Sequence, residues 1–282
     1  MTNLEAILLG IIQGLTEFLP ISSTAHLTIA GHLLGLINKN NPAAWTAFIG
    51  VMQLGTLLAV VIYFFNDVSA IVRSFIKDII SHGARFSRYS NSSRLGMYLI
   101  VGTIPVGIVG LLLSDLIHGM FTKSLAVIST SLVVLAVLLW VAEKRARHSR
   151  SVEELHFRDA VLIGAAQALA LIPGASRSGT TLMAGLFLGL TRPAAARFSF
   201  LLSIPAILAS GVYEMLKIDP AVFTLGISNL VISTIAAAVS GYLAIAWLLK
   251  YLATNTTMVF VWYRIALGVS LAAFIAFGVM SS

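Results

Sequence analysis

Long apolar runs dominate this sequence, and polar residues separate them at regular intervals. A helix needs about 20 apolar residues to cross a bilayer, and six runs meet that length. They occupy residues 45–65, 95–113, 124–142, 198–216, 226–249 and 258–280. The pattern therefore predicts an all-α polytopic membrane protein with six transmembrane helices.

Two further apolar regions, residues 4–36 and 157–190, are too long for one crossing. Each is interrupted midway by proline and polar residues, at LPISST (19–24) and IPGASRS (172–178). The halves, roughly 12–16 residues each, are too short to cross a membrane comfortably. Irregular backbone at membrane depth persists only where it lines a cavity or is buried in protein. We therefore expect each region to form a re-entrant helix–turn–helix.

These two broken regions resemble each other at a constant offset of 154 residues. The matching blocks are GIIQ at 10–13 with GAAQ at 164–167, SST at 22–24 with SRS at 176–178, and AGHLLGL at 30–36 with AGLFLGL at 184–190. The spacing predicts two repeats within one membrane domain, residues 1–142 and 157–282, each with one re-entrant segment and three spans. Three crossings reverse the membrane side, so the second repeat is inverted. The two breaks would then meet near the midplane and form a composite site, an arrangement typical of transporters.

Charge and composition support the membrane assignment. Hydrophobic residues make up 58% of the chain and charged residues 10%, whereas soluble domains average about 25% charged. This excludes a cytosolic globular enzyme and a disordered chain. The net charge of +7 does not indicate nucleic-acid binding, because long apolar stretches separate the basic residues. The absence of cysteine excludes thiolate nucleophiles and zinc–thiolate sites.

The distribution of basic residues predicts an orientation. The connections 66–94 and 143–159, together with the residues flanking the fourth and fifth spans, hold 13 Lys and Arg. The opposite side holds three, which are Lys39, Lys123 and Lys217. By the positive-inside rule the basic side is cytoplasmic, so both termini are expected outside.

The first break contains an unusual set of polar groups. Gln13 and Glu17 are four residues apart and share a helix face. Glu17 is the only acidic residue deep inside a hydrophobic segment, and an intramembrane carboxylate is functional by default. Its alternative role is structural, as a capping or pairing carboxylate. With Ser23 and His26 it supplies the components of an activated nucleophile, although His26 alone is equally consistent with an ordinary hydrogen-bonding histidine.

The second break predicts an anion site. Small residues and hydroxyls at Gly174, Ser176, Ser178 and Thr181 let backbone N–H groups approach an anion, and the following helix points its N-terminus at it. Arg177 adds a planar fork suited to phosphate. The alternative is an Arg177–Glu17 ion pair without a ligand, and the two interpretations can coexist.

Two polar residues inside predicted spans have open roles. Arg264, in the last span, needs a partner, and the sequence leaves a site-lining and a structural role equally possible. Gln53, midway along the first span, either lines the site or makes an interhelical hydrogen bond.

The two breaks together resemble the hallmark motifs of the BacA/UppP family of undecaprenyl pyrophosphate phosphatases. The matching segments are QGLTEFLPISSTAH (13–26) and PGASRSGTT (173–181). The resemblance covers essentially the whole chain, including QLG at 53–55, IPVG at 104–107 and YRI at 263–265. One departure is Ala25, where the family usually has glycine.

The resemblance assigns roles to individual residues. The (E/Q)xxxE motif falls on Gln13 and Glu17, and the active-site serine and histidine fall on Ser23 and His26. The PGxSRSxxT motif falls on Pro173, Gly174, Ser176, Arg177, Ser178 and Thr181. It implies that Glu17, Ser23, His26 and Arg177 are catalytic. The substrate-binding residues that it implies are Gln13, Gly174, Ser176, Arg177, Ser178 and Thr181.

The resemblance also implies the reaction and its setting. It implies hydrolysis of undecaprenyl diphosphate to undecaprenyl phosphate and inorganic phosphate, which recycles the lipid carrier of peptidoglycan synthesis and confers bacitracin resistance. It implies a need for Mg²⁺ or Ca²⁺, with Glu17 as the metal ligand, and a site that opens to the outer face of the bacterial plasma membrane. Either Ser23 or water is the nucleophile, and either Glu17 or His26 accepts the proton. The alternative function is a transporter or flippase of polyprenyl phosphate.

Overall fold

A computed structural model describes residues 1–37, 42–216 and 226–279, and within these ranges the regular structure is helical apart from one isolated β-bridge between Arg150 and Leu190. Short 3₁₀ turns and loops join twelve α-helices in the described ranges. The helices are α1 (Asn3–Phe18), α2 (Ser23–Leu33), α3 (Pro42–Tyr63), α4 (Phe65–His82), α5 (Asn91–Leu112), α6 (Ser114–His118), α7 (Leu125–Arg145), α8 (Phe157–Ala168), α9 (Arg177–Phe187), α10 (Arg192–Leu216), α11 (Ile227–Thr254) and α12 (Met258–Ala276).

Six of these helices, α3, α5, α7, α10, α11 and α12, are long and apolar enough to cross a membrane. Each overlaps one predicted run, so the prediction of a multi-pass all-α membrane protein is confirmed. The largest boundary difference is at α10, which begins at Arg192 rather than at residue 198. Pro193 does not prevent this earlier start, because the first helical turn tolerates proline. The predicted end of the fourth span, at 216, borders residues 217–225, which lie outside the described ranges. The predicted end of the last span, at 280, falls in residues 280–282, which also lie outside them.

Both broken regions have the predicted helix–break–helix form. In the first, α1 ends at Phe18 and α2 begins at Ser23. In the second, α8 ends at Ala168 and α9 begins at Arg177. Each new helix is capped by the preceding serine in an unusual left-handed conformation. Ser22 has φ 76° and accepts a hydrogen bond from the backbone of Ala25, and Ser176 has φ 72° and accepts one from Gly179.

The connection 66–94 contains a helix that the sequence analysis did not predict. It is α4, an amphipathic helix of 18 residues that is too polar for a membrane span. The carboxylate of Asp78 joins this helix to the start of α5. It accepts hydrogen bonds from the Ser93 hydroxyl at 2.6 Å and from the backbone and hydroxyl of Ser90 at 2.8 Å. These bonds lower the pKa of Asp78 to about 2, so it stays ionised at neutral pH.

Close helix packing holds the broken segments among the spans. Helix α1 packs along α11, and α8 packs along α5. The backbones touch at two glycines: a Cβ on Gly10 would overlap the carbonyl of Ser233, and one on Gly164 would overlap Gly102. Only glycine allows this separation. The close contact brings the last turns of α1 and α8, and the breaks that follow them, into the interior of the helix bundle.

Candidate active site

Residues from both breaks meet at the carboxylate of Glu17. This side chain lies in the last turn of α1 and is 6% exposed. Its Oε2 accepts hydrogen bonds from Gln13 Nε2 at 3.0 Å and from Ser23 Oγ at 2.7 Å. Its Oε1 accepts one from Arg177 Nη2 at 3.2 Å. The structure thus brings four of the predicted site residues together, and the Arg177–Glu17 ion pair foreseen from the sequence is present.

Arg177 begins α9 and keeps donor capacity beyond the ion pair. Its Nη1 donates to the backbone carbonyl of Ser199 at 3.2 Å, and its buried Nε has no hydrogen-bond partner among the described residues. A buried N–H without a partner costs free energy comparable to a lost hydrogen bond. An anion bound beside Arg177 would accept a hydrogen bond from this N–H. The anion site predicted from the sequence requires such an available donor.

The other predicted residues of the second break make bonds that shape it. Ser178 donates to the carbonyl of Leu19 in the first break at 3.0 Å. Thr181 bonds to the Arg177 carbonyl at 2.8 Å and to the Ser199 hydroxyl at 2.6 Å. Gly174 takes φ 88°, a conformation that favours glycine. Of the predicted substrate-binding residues in this break, Ser176 and Arg177 line the cavity described below.

Both ring nitrogens of His26 bond to groups other than the Glu17 carboxylate. Its Nδ1 is 2.7 Å from the carbonyl oxygen of Ser22, so Nδ1 carries the proton and donates to it. In the neutral ring Nε2 then accepts from the hydroxyl of Tyr263 at 2.6 Å. The two rings are stacked, 5.6 Å apart. Tyr263 was part of a matched sequence block but was not identified as the partner of His26.

A cavity of about 490 Å³ adjoins the Glu17 carboxylate. Glu17, Ser23, Ser176 and Arg177 line it together with further polar and apolar side chains, and most of the lining surface is apolar. Gln53 lines it, in agreement with one of its two predicted roles. Gln167 also lines it, and its buried Oε1 has no partner among the described residues. The sequence analysis did not select Gln167, although it is the repeat counterpart of Gln13.

Comparisons with known proteins show to which family the chain belongs. The family model described as "Bacitracin resistance protein BacA" matches residues 6–270. The chain belongs to the BacA family. Similar proteins include the undecaprenyl-diphosphatases of Syntrophobacter fumaroxidans, 52% identical over 95% of each chain, and of Myxococcus xanthus, 51% identical over 100% of this chain and 92% of the relative. The undecaprenyl-diphosphatase of Micrococcus luteus is 46% identical over the full length of both.

The family resemblance predicted from the sequence is therefore confirmed. Its one departure, Ala25 in place of glycine, is compatible with the local backbone. Ala25 lies inside α2 and has no left-handed backbone conformation. Alanine therefore fits where the BacA family usually has glycine, and it favours the helix more than glycine does.

In this BacA family member, Arg264 has a structural role between the two breaks. It is 1% exposed and donates to four backbone carbonyls. Nη1 donates to Pro20 in the first break at 3.2 Å and to Ala175 in the second at 3.1 Å. Nη2 donates to Gly174 at 3.0 Å, and Nε donates to Leu132 on α7 at 3.3 Å. One guanidinium therefore holds the two breaks together, and it does not line the cavity.

We expect Arg264→Lys to lower thermal stability strongly. A lysine ammonium has three donors without the planar fork, so it leaves buried carbonyls unsatisfied at a cost of about 1–3 kcal/mol each. Thermal unfolding of the detergent-solubilised protein measures the effect. The control is Arg158→Lys at an exposed position, where we expect no change. Equal melting temperatures for the two variants would contradict the structural role.

The donor set around Glu17 suits a hard divalent cation. The described residues contain no group of three or more His, Cys, Asp or Glu side chains that could hold a metal unaided. Mg²⁺ is commonly bound by one or two carboxylates together with substrate phosphates, and Glu17 is the one acidic residue among the described residues that line the cavity. Gln13 turns its Nε2 toward Glu17 and does not line the cavity, so Glu17 is the group here that could hold a cation.

Proposed function

We propose that this chain is an undecaprenyl-diphosphatase that hydrolyses undecaprenyl diphosphate to undecaprenyl phosphate and inorganic phosphate. The observation that carries the proposal is the meeting of Glu17, Ser23 and Arg177 beneath a cavity among membrane helices. A diphosphate needs this polar floor, and its polyprenyl tail needs the apolar surroundings. The relatives from three organisms bear the same name. None of these names supports the alternative of a lipid transporter.

The activity places the protein in the bacterial cell envelope. Hydrolysis returns the lipid carrier to the monophosphate form that peptidoglycan synthesis uses. Removal of the diphosphate lipid also explains resistance to bacitracin, the property for which the family is named.

The geometry favours Ser23 as nucleophile and Glu17 as proton acceptor. Ser23 Oγ already donates to Glu17 at 2.7 Å, the distance for proton transfer to a general base. The Oγ attacks the terminal phosphorus, its proton passes to Glu17, and the bond to the bridging oxygen breaks to release undecaprenyl phosphate. Water then hydrolyses the phosphoserine, which releases phosphate and restores Ser23. His26 is less suited as the acceptor, because Nδ1 donates to the Ser22 carbonyl and the remaining nitrogen, Nε2, bonds to Tyr263 rather than to Ser23.

Arg177 would hold the transferred phosphoryl group. The ion pair with Glu17 opens when the more highly charged diphosphate enters, and the guanidinium then stabilises the charge of the transition state. A bound Mg²⁺ or Ca²⁺, held by Glu17, would neutralise further charge on the diphosphate.

The direct test is phosphate release from undecaprenyl diphosphate by the purified protein. We expect release that EDTA abolishes and that added Mg²⁺ or Ca²⁺ restores. Undecaprenyl monophosphate serves as the control substrate, because it lacks the phosphoanhydride bond. Absence of release from the diphosphate by folded protein would refute the proposed function, and release unaffected by EDTA would refute the metal requirement.

Replacement of Ser23 distinguishes the two nucleophiles. We expect Ser23→Ala to lose at least about a hundredfold in turnover, and the wild type, quenched in acid during turnover, to carry phosphate on Ser23 by mass spectrometry. Ser129→Ala, which removes a buried hydroxyl on α7 that bonds to Gly268, is the matched control and should retain activity. Full activity in Ser23→Ala would favour direct attack by water.

We further propose two inverted repeats, residues 1–142 and 157–282, with both termini outside. Several pairs of features related by the repeat support this. The serine caps Ser22 and Ser176 match in position and conformation. Helix α1 packs on α11 and α8 packs on α5, so each broken segment packs on the second span of the other repeat. The cavity reaches Lys123, on the side poor in basic residues, which supports an opening toward the outer face.

A further inference from the structure

Helix α4 carries an apolar stripe that the rest of the described chain leaves uncovered. Its five outward-facing apolar side chains recur at helical spacing and lie on one face about 100° wide. Each is between 45% and 79% exposed, and they are Phe65, Val72, Ile76, Ile79 and Ile80. A contiguous exposed stripe of this kind marks a surface that binds a partner or a membrane.

The opposite face of α4 holds the helix against the bundle. Ile71 packs on the start of α5, where a Cβ on Gly96 would lie 2.7 Å from an Ile71 methyl group. Asp78 bonds to the serines that cap and begin α5, and Asp67 pairs with Arg197 on α10. The protein itself therefore engages both acidic residues of α4, on the side away from the stripe, and the stripe faces outward.

Helix α4 lies at the level where the chain enters the membrane. It follows the spanning helix α3 after a single residue, Phe64. Its contacts with Ser90, Ser93 and Gly96 place it beside the first turns of α5, and the apolar run of that span begins at residue 95. The stripe is therefore close to the boundary between the lipid tails and their headgroups.

Positive charge borders the stripe. Arg73 and Lys77 are exposed, and because they are four residues apart they share one side of the helix. Arg85 and Arg88, in the turn after α4, are exposed as well. No side chain in the described part of the chain pairs with any of these four cations. An apolar stripe beside uncompensated basic residues is typical of a helix that lies in the interface of an anionic membrane.

We propose that α4 is an interfacial helix that docks on an anionic phospholipid surface. Its apolar stripe enters the boundary of the acyl chains, and Arg73, Lys77, Arg85 and Arg88 bind the headgroup phosphates. A second copy of the chain fits this surface less well. In a symmetric dimer the same patch meets itself, so the uncompensated cations of the two copies would repel one another.

The absence of cysteine allows one fluorophore to be attached at a chosen position. Ile76→Cys places it on the stripe, and the control Ser81→Cys places it on the polar side of the same helix, where Ser81 is also exposed. Each labelled protein is reconstituted in vesicles of phosphatidylcholine and phosphatidylglycerol. Quenching is measured with iodide on both sides of the membrane and with nitroxide-labelled lipid.

We expect nitroxide lipid to quench the label at Ile76→Cys at least about threefold more than the label at Ser81→Cys, and iodide to show the opposite order. Equal or stronger iodide quenching at Ile76→Cys would overturn the membrane docking. Protection of that label from both quenchers would also overturn it, because a second copy or another protein would then cover the stripe.

The headgroup contacts are tested by removal of charge. Arg73→Gln/Lys77→Gln removes two cations beside the stripe. Lys144→Gln/Arg147→Gln, the matched control, removes two exposed cations that follow α7 or end it. Binding of phosphatidylglycerol to the detergent-solubilised protein is titrated by native mass spectrometry, with phosphatidylcholine as the reference lipid.

We expect the α4 variant to bind phosphatidylglycerol at least about tenfold more weakly and the control to change less than about twofold, since each basic residue at an anionic surface contributes roughly a fivefold factor. Binding of phosphatidylcholine should stay the same. Phosphate release in detergent should be unchanged in both variants, because none of the four residues lines the cavity. An equal loss in the two variants, or no loss in the α4 variant, would refute the headgroup contacts.

Discussion

Replacing Glu17 by Gln should lower phosphate release from undecaprenyl diphosphate about a thousandfold, within the range of a lost general base. Glutamine keeps the size of the side chain and can still accept from Arg177. It cannot take the proton of Ser23, which lies 2.7 Å from the carboxylate, and it binds a divalent cation less well than a carboxylate does. Steady-state phosphate release at saturating Mg²⁺ measures the loss.

The chain contains a matched control for this substitution. Glu143 on α7 is also 6% exposed. It accepts from Arg192 Nε at 2.7 Å and from the Thr257 hydroxyl at 2.8 Å, and it does not line the cavity. Glu143→Gln weakens a similar buried ion pair, so both variants should lose thermal stability. Only Glu17→Gln should lose turnover, and retention of more than a tenth of wild-type activity would refute its catalytic role.

Replacing Arg177 by Lys should reduce phosphate release about a hundredfold or more, as expected for the loss of a positioned donor to developing charge. The guanidinium reaches Glu17 through Nη2 and Ser199 through Nη1. It also offers Nε, which has no partner in the described part of the chain. A lysine ammonium keeps the charge but cannot reproduce this planar set of donors. The measurement is kcat and KM for undecaprenyl diphosphate across a range of Mg²⁺ concentrations.

Arg192→Lys is the corresponding control. Arg192 pairs with Glu143 and lies outside the cavity lining. It should lose some stability and keep its turnover. Similar turnover in Arg177→Lys and Arg192→Lys would show that positive charge alone suffices beside Glu17, and would refute the assigned phosphate clamp.

The pattern of hydrophobic residues along the chain was sufficient to predict most of the helices. The six predicted spans are the six long apolar helices, because the length of an apolar run alone determines whether a helix can cross a bilayer. The two breaks could also be predicted from the sequence, because proline and hydroxyl residues interrupt otherwise apolar helices at 19–24 and 172–178. Helix α4 was missed because its charged face was interpreted as a loop. Its apolar positions, such as Val68, Ile71 and Phe75, have helical spacing and could have revealed it.

The contact between Glu17 and Arg177 could be predicted because a buried charge is costly unless it is paired. A carboxylate and a guanidinium deep in apolar segments must find partners, and Glu17 and Arg177 indeed contact each other. The neighbourhood of His26 could not be foreseen in the same way. Its hydrogen bond to Tyr263 joins residues 237 positions apart, and no local pattern specifies such a contact.

The amino-acid sequence by itself was enough to identify a polytopic membrane protein with two broken helical regions. It also identified the polar residues within those regions and the family of the protein. These features depend on residue type and on spacing along the chain. The spatial arrangement was needed to assign Arg264 to the carbonyls of both breaks and to direct His26 toward Tyr263. The physical reason is that each of these depends on which distant helices touch, and contacts between apolar helices depend on shape and close packing more than on hydrophobicity.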